Sequence, residues 1–241
     1  LQILVPGETA APGTASGKTG SPSAQTVGGA FTVTVNAVDA NWNLVSSAPN
    51  NQVTITSSDA GATLPAPANL GSGTVTFTNG VTLNTAGTAT VTATNSTDGT
   101  KTANTSPSIT VGCGPVTAAG YVAASAQSGQ ATVYWASPNP VLILRKLSSS
   151  ITDAPTDGAT YAVSGTIGAS TVVYNGSVAE TSFPQTGLAS DGTAYYYKVF
   201  AKASGPCYSA GTEVNAKPAA LGPAWSYMLA GGSLLKPGIT G

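Results

Sequence analysis

The fold of the first half of the chain is decided by the stretch Phe31-Thr32-Val33-Thr34-Val35-Asn36-Ala37. Its apolar residues alternate strictly with threonine and asparagine. Because successive side chains of a β-strand point to opposite faces of the sheet, this alternation is typical of a strand with one buried face. The stretch therefore predicts a strand whose Phe31, Val33, Val35 and Ala37 side chains face a core.

The same alternation recurs at residues 52–56, 74–78 and 88–94. A short apolar strand is also predicted at residues 1–5, where Pro6-Gly7 ends it, and a last strand near residues 101–111. The first half of the chain therefore has the strand spacing of a β-sandwich.

Two segments between these strands are less regular. Residues 8–28 are rich in Ala, Gly, Ser, Thr and Pro, so they predict a long loop. Asn79-Gly80 has the composition of a tight hairpin turn, while its flanks equally suit one bulged strand. Both alternatives stay open at the level of the sequence.

The second half of the chain repeats the pattern. In the segment that follows Asp191-Gly192, strict alternation places Tyr195, Tyr197, Val199 and Ala201 on one face of a predicted strand.

The composition favours an all-β protein of two domains. Gly (29 residues) and Pro (16 residues) are frequent, and charged residues make up only 7% of the 241 residues, where an ordinary soluble domain has about 25%. The chain is poor in the residues that favour helices and rich in turn formers and β-branched residues. We expect two tandem β-sandwiches of about 100 residues each, which is long enough for each to bury a core.

Composition also excludes several classes of function. Histidine is absent, which excludes Ser-His-Asp catalysis and His-ligated zinc. The net charge of −1 without a basic run gives no footprint for nucleic acid, and no apolar stretch approaches the roughly 18 residues of a membrane span. We expect no enzyme, no cofactor, no nucleic-acid partner and no membrane span.

Residues 1–112 resemble the bacterial immunoglobulin-like domains of large secreted surface proteins. The resemblance is carried by FTVTVNAVDANWN at residues 31–43 and by LNTAGTATVTA at residues 83–93. In such domains the first segment is a strand that leads into an Asn-rich turn, and the second forms the corner into a late strand. The resemblance implies a sandwich that serves as a spacer or an adhesive module.

Residues 113–218 resemble a fibronectin type III domain. Residues 131–135 match its second strand, which ends in an inward Trp135, and the segment from Leu188 to Ala201 matches its late Tyr-containing strand. The resemblance makes Tyr195 the tyrosine-corner residue, whose hydroxyl bonds to the backbone just upstream. One extra residue between Leu188 and Tyr195, and Asp191 in place of a proline, depart from the pattern.

Cys113 and Cys207 are the only cysteines. In a type III topology the start of the domain and the loop before its last strand lie at the same end, so the resemblance implies a structural disulfide. Two free buried thiols are the alternative, and a redox pair is disfavoured because there is no CxxC spacing.

Asp39, Asn41 and Asn43 place oxygen-bearing side chains at alternate positions, as in the opening of a calcium loop. The Glu that completes an EF-hand loop is absent, and Asx residues also form turns. Asp153 and Asp157 pose the same choice. We expect turns, with calcium as the alternative at Asp39, Asn41 and Asn43.

Aromatic residues offer a second candidate site, a carbohydrate-stacking platform. Trp42, Trp225 and the run Tyr195-Tyr196-Tyr197 are its candidates. The simpler interpretation is that Tyr195 and Tyr197 are core residues and that Trp42 covers one end of a sandwich.

Residues 219–241 fit neither domain and form a linker followed by an apolar tail. The chain starts at Leu1 without a signal-peptide pattern, so we expect a trimmed or excised piece of a longer precursor. Both ends are candidates for head-to-tail assembly by strand pairing and apolar burial. The assembly candidates are Leu1, Ile3, Val5, Trp225, Tyr227, Leu229, Leu234 and Leu235.

The function predicted from the sequence is a non-enzymatic structural or adhesive module at a bacterial cell surface or outside the cell. Its expected partners are copies of itself or neighbouring domains. The alternatives are an accessory segment that binds carbohydrate or a surface, with glycans as the partner, and a spacer of a larger secreted enzyme. The sequence identifies no ligand.

Overall fold

The computed structural model describes residues 1–220 and the two short strands at residues 229–230 and 233–234. All of its regular elements are β-strands. Those of the first half are β1 (Gln2–Leu4), β2 (Glu8–Ala10), β3 (Lys18–Gly20), β4 (Gln25–Thr26), β5 (Ala30–Asn36), β6 (Gln52–Ser57), β7 (Ala68–Asn69), β8 (Thr74–Thr82), β9 (Gly87–Ala89), β10 (Val91–Asn95), β11 (Asn104–Thr105) and β12 (Ile109–Gly112).

These strands form an immunoglobulin-like sandwich. One sheet has the order β1-β5-β8, and the facing sheet has the order β11-β10-β6-β7. Strands β4, β12 and β9 form a third sheet, whose Ala89, Ile109 and Val111 are buried in the same core. Val33 and Val35 from the first sheet and Val53 and Val91 from the second are fully buried in one core. The alternation in the sequence is therefore confirmed as the burial pattern of β5, in which every second residue from Phe31 is buried.

Two irregular segments are resolved by the strand pairing. The long loop expected at residues 8–28 is wrong in part, because β2 and β3 form an antiparallel hairpin there and β4 pairs with β12 in parallel. The flanks of Asn79-Gly80 belong to one strand, β8, whose pairing with β5 shifts register between Phe31 and Val33. The bulged-strand alternative is thus the one the structure shows.

The second half contains β13 (Tyr121–Gln127), β14 (Gln130–Ala136), β15 (Val141–Leu147), β16 (Thr166–Ile167), β17 (Ser170–Asn175), β18 (Ser182–Thr186), β19 (Tyr195–Ala203), β20 (Cys207–Tyr208) and β21 (Thr212–Ala216). One sheet has the order β13-β14-β18, and the other has the order β16-β17-β15-β19-β20 with β21 also paired to β19. Apart from the two-residue strands β16 and β20, the strands β13, β14 and β18 of one sheet face β15, β17, β19 and β21 of the other. This is the strand order of a fibronectin type III-like sandwich.

The core of the second sandwich contains the residues that the sequence assigned to it. Trp135 is buried, and Tyr197 and Val199 are fully buried beside it. The backbone N–H of Ala189 donates to the hydroxyl of Tyr195 at 2.9 Å, which confirms the tyrosine corner.

A second apolar cluster covers the outer face of the larger sheet. Leu142, Leu144, Val172 and Phe200 are buried there beneath Ile151, which belongs to the long connection between β15 and β16. Strand β15 is therefore covered on both faces, as its uninterrupted apolar run from Val141 to Leu144 requires.

The C-terminal segment is described only at β22 (Leu229–Ala230) and β23 (Ser233–Leu234), which pair with each other. The assembly candidates Trp225, Tyr227 and Leu235, and the side chains of Leu229 and Leu234, lie outside the described residues. Over the part of the chain that is described, no helix is long and apolar enough to cross a membrane.

Candidate functional site

The two sandwiches meet at a junction that contains the disulfide. Cys113 directly follows β12, and Cys207 begins β20 in the second sandwich. The two residues are bonded, with their Cα atoms 5.6 Å apart, so the structural disulfide expected from the sequence is present. Residues 113–120 form the linker between the two sandwiches, and the bond fixes the first residue of this linker to the second domain.

The loop around Gly205 in the second sandwich contacts the corner of the first sandwich at residues 84–86. The backbone N–H of Ala86 lies 3.4 Å from the carbonyl oxygen of Gly205, two residues before the disulfide. The turn at Gly158 also lies close to Ala86. A Cβ atom added to Gly158 would lie only 2.6 Å from the carbonyl oxygen of Ala86. Both turns of the second domain therefore contact the same corner of the first domain.

Gly205 is required at this contact for two reasons. Its φ of +73° lies in the left-handed region that disfavours other residues. A Cβ atom added there would also overlap the carbonyl oxygen of Asn84 and the side chain of Val27. The backbone of the loop thus approaches the first domain as closely as a glycine permits.

The corner of the first domain is held in place by Asp59. Its carboxylate accepts hydrogen bonds from the backbone N–H of Asn84 at 2.7 Å and from the backbone N–H and hydroxyl of Thr85 at 3.0 and 2.8 Å. Burial by itself would raise the pKa of Asp59, but these bonds and one from the N–H of Gly61 outweigh it, so the pKa is lowered. The ionised form of Asp59 therefore supports the junction.

The calcium candidates form a turn. One oxygen of Asp39 accepts the backbone N–H groups of Asn41 and Asn43, each at 2.8 Å, and the other accepts the Asn43 side-chain amide at 3.0 Å. These bonds, led by the one from the Asn43 side chain, lower the pKa of Asp39. Among the described residues, no group of three or more His, Cys, Asp or Glu side chains is placed to hold a metal ion.

The two other acidic loop residues accept hydrogen bonds from residues far along the chain. Asp153 accepts the hydroxyl of Ser170 at 2.7 Å, and Asp157 accepts the backbone N–H of Tyr208 at 2.9 Å. Both carboxylates therefore tie the connection between β15 and β16 to the second sandwich.

Among the described residues, the aromatic candidates do not come together on a surface. Tyr195 and Tyr197 are buried, and burial raises the pKa of Tyr197 to about 12. Trp42 lies directly over Gly17, where a Cβ atom would overlap its indole. Trp225 lies outside the described residues.

The N-terminal assembly candidates belong to their own sandwich. Strand β1 pairs with β5, and Ile3 and Val5 are buried in the core, while Leu1 is half-buried against it. The side chain of Asn104 accepts the backbone N–H of Ile3 at 2.8 Å. The N-terminal segment offered for strand pairing between copies is therefore already paired within its own sandwich.

No sequence pattern marks the junction between the two sandwiches. Its contacts are made by backbone atoms of turns that are far apart in the chain, so no side-chain pattern marks them. The only local signals are the turn dipeptides Asp157-Gly158 and Gly205-Pro206, and these predict turns without showing what the turns contact.

Comparison by sequence gives no match to a protein-family profile or to a curated protein. Comparison by structure finds a two-domain fibronectin type III segment of chicken tenascin, at 13% identity and a TM-score of 0.32, which covers 78% of this chain and 93% of that one. The D0-D1 domain of intimin gives 13% identity and a TM-score of 0.30, covering 89% of this chain and 98% of that one. The fibronectin(III)-like modules of Clostridium thermocellum CbhA give 11% identity and a TM-score of 0.28, covering 90% and 94%.

Proposed function

We propose that this chain is a non-catalytic, load-bearing segment of an extracellular protein, in which the two sandwiches act as one stiff unit. The observation that carries the proposal is the Cys113–Cys207 bond, which joins the linker to the second domain two residues from the loop that contacts the first domain. Domains joined by a free linker move relative to each other by default. Here the linker is covalently anchored where it enters the second domain.

The position of the bond has a mechanical consequence. The disulfide encloses a loop of 94 residues, which includes β13 to β19. A force applied through the two ends of the chain passes from Cys113 to Cys207 through the bond. The enclosed strands are therefore protected from extension, and only residues after Cys207 can be drawn out of the second domain.

A disulfide of this kind also favours an oxidising location outside the cytoplasm. The low charge of the chain and its two consecutive sandwiches suit a spacer that holds other parts of a secreted or surface protein apart. As a spacer within a larger secreted enzyme, the segment has the same mechanical function. Glycan binding is a different function from load bearing, because it requires a binding site and does not follow from the fold.

Single-molecule stretching tests this function. With the disulfide intact, we expect unfolding of the second domain to release only the segment after Cys207. After reduction, or in a C113S/C207S variant, the released length should increase by about 300 Å, from the 94 enclosed residues at about 3.3 Å each. Release of the full length from the oxidised protein would contradict the proposal.

A further inference from the structure

A cleft of about 390 Å³ opens at one end of the second sandwich, away from the disulfide junction. Its wall includes Arg145 and Leu147 from β15, Thr171 from β17 and Tyr195 from β19. Lys146 and Leu188 also line the cleft. The volume lies in the range of sites for small ligands.

Among the described residues, the positively charged side chains of the cleft have no carboxylate partner. Arg145 is the only arginine in the chain and is half-buried. Its guanidinium lies 5.9 Å from the centre of the Tyr195 ring. Within the described residues the salt bridges are Lys18–Glu8 and Lys101–Asp98, so neither Arg145 nor Lys146 has a carboxylate within bonding distance there.

The other groups in the cleft fit a ligand that is both acidic and hydroxylated. The planar fork of an arginine binds a carboxylate through two parallel hydrogen bonds. The hydroxyl of Thr171 is available as a further donor or acceptor, and Leu147, which also lines the cleft, is 56% exposed. We propose that this cleft binds the carboxylate-bearing ring of an acidic sugar, a uronic acid residue within a glycan.

An extended acidic peptide fits the cleft less well. Peptides commonly bind at such a place by adding a strand to an open sheet edge. The cleft-lining residues Gly187 and Leu188 follow the edge strand β18, which pairs only with β14 and contains Pro184. Proline has no N–H to donate, so it weakens strand addition along this edge.

The test is a titration of the full chain with a trigalacturonate, followed by amide chemical shifts. We expect shifts confined to residues around Arg145 and Thr171. An R145Q variant should lose about tenfold or more in affinity, since it removes charge-assisted hydrogen bonds, and T171V should lose roughly two- to tenfold. K217Q, which removes a charge from the exposed Lys217 outside the cleft, should bind as the parent chain does.

Several results would overturn the proposal. A neutral galactose trisaccharide that binds as tightly as trigalacturonate would remove the role of the carboxylate. Acetate that binds with equal affinity would show a general anion effect, and an acidic peptide that binds more tightly than the sugar would assign the cleft to a protein partner. Unchanged affinity in an R145Q variant with a native amide spectrum would also exclude the site.

Discussion

Asp59 links a local turn to the contact between the domains. Its carboxylate receives hydrogen bonds from Gly61 within its own turn and from Asn84 and Thr85 at the corner that faces Gly205. Because these bonds lower its pKa in the folded state, ionised Asp59 contributes stability above its unfolded pKa of about 4, and this contribution is lost as the pH falls through the lower folded value.

We expect D59N to reduce the free energy of unfolding of the first sandwich by about 1–3 kcal/mol at neutral pH, because it removes charge-assisted hydrogen bonds. The loss should shrink at acidic pH, where the parent carboxylate is itself protonated. Urea unfolding at several pH values measures both effects. The matched control is D98N, whose bonds reach only Thr100 and Lys101 and whose effect should be smaller; equal losses in the two variants would contradict this account.

At the scale of the strands, alternation predicted those elements whose one face lies in a core. Strands β5, β6 and β14 follow directly from it, because their apolar residues are spaced for burial on one side. Strand β15 is different, since an uninterrupted apolar run shows that a strand is covered on both faces but not by what. The cover came from the connection after β15, which has no regular pattern of its own.

The hairpin β2–β3 could not be predicted because polar groups rather than apolar side chains anchor it. Lys18 forms a salt bridge of 2.8 Å with Glu8, whose side chain is only 1% exposed. Lys18 also donates to the carbonyl oxygen of Ile3, and Glu8 accepts the N–H of Val5. These contacts join the hairpin to β1.

We expect K18M to destabilise the first sandwich by about 3–5 kcal/mol, because it leaves the buried Glu8 carboxylate unpaired. The control is K101M, because the Lys101–Asp98 ion pair is exposed and should contribute less than about 1 kcal/mol to the free energy of unfolding. Chemical denaturation of both variants gives the comparison. A loss for K18M no greater than that for K101M would show that the hairpin is not fixed by this pair.

At the scale of the whole molecule, assembly stays a prediction that rests on the C-terminal candidates, since β1 is already paired within its own sandwich. If residues 222–241 mediate contacts between copies, the full chain should self-associate at high concentration and a chain lacking them should stay monomeric. Light scattering distinguishes the two. A full chain that remains monomeric, or a deletion variant that still associates, would exclude this role.

If the disulfide and the turn contacts make the two sandwiches one stiff unit, amide ¹⁵N relaxation should detect that stiffness in solution. We predict a single rotational correlation time for both domains in the oxidised protein. G205A, which overlaps Asn84 and Val27, should separate the two values. G192A should not, because it has a similar φ of +80° and nothing within 4 Å of the added Cβ atom. Two different correlation times in the oxidised parent protein, each near that of a single domain, would contradict the account.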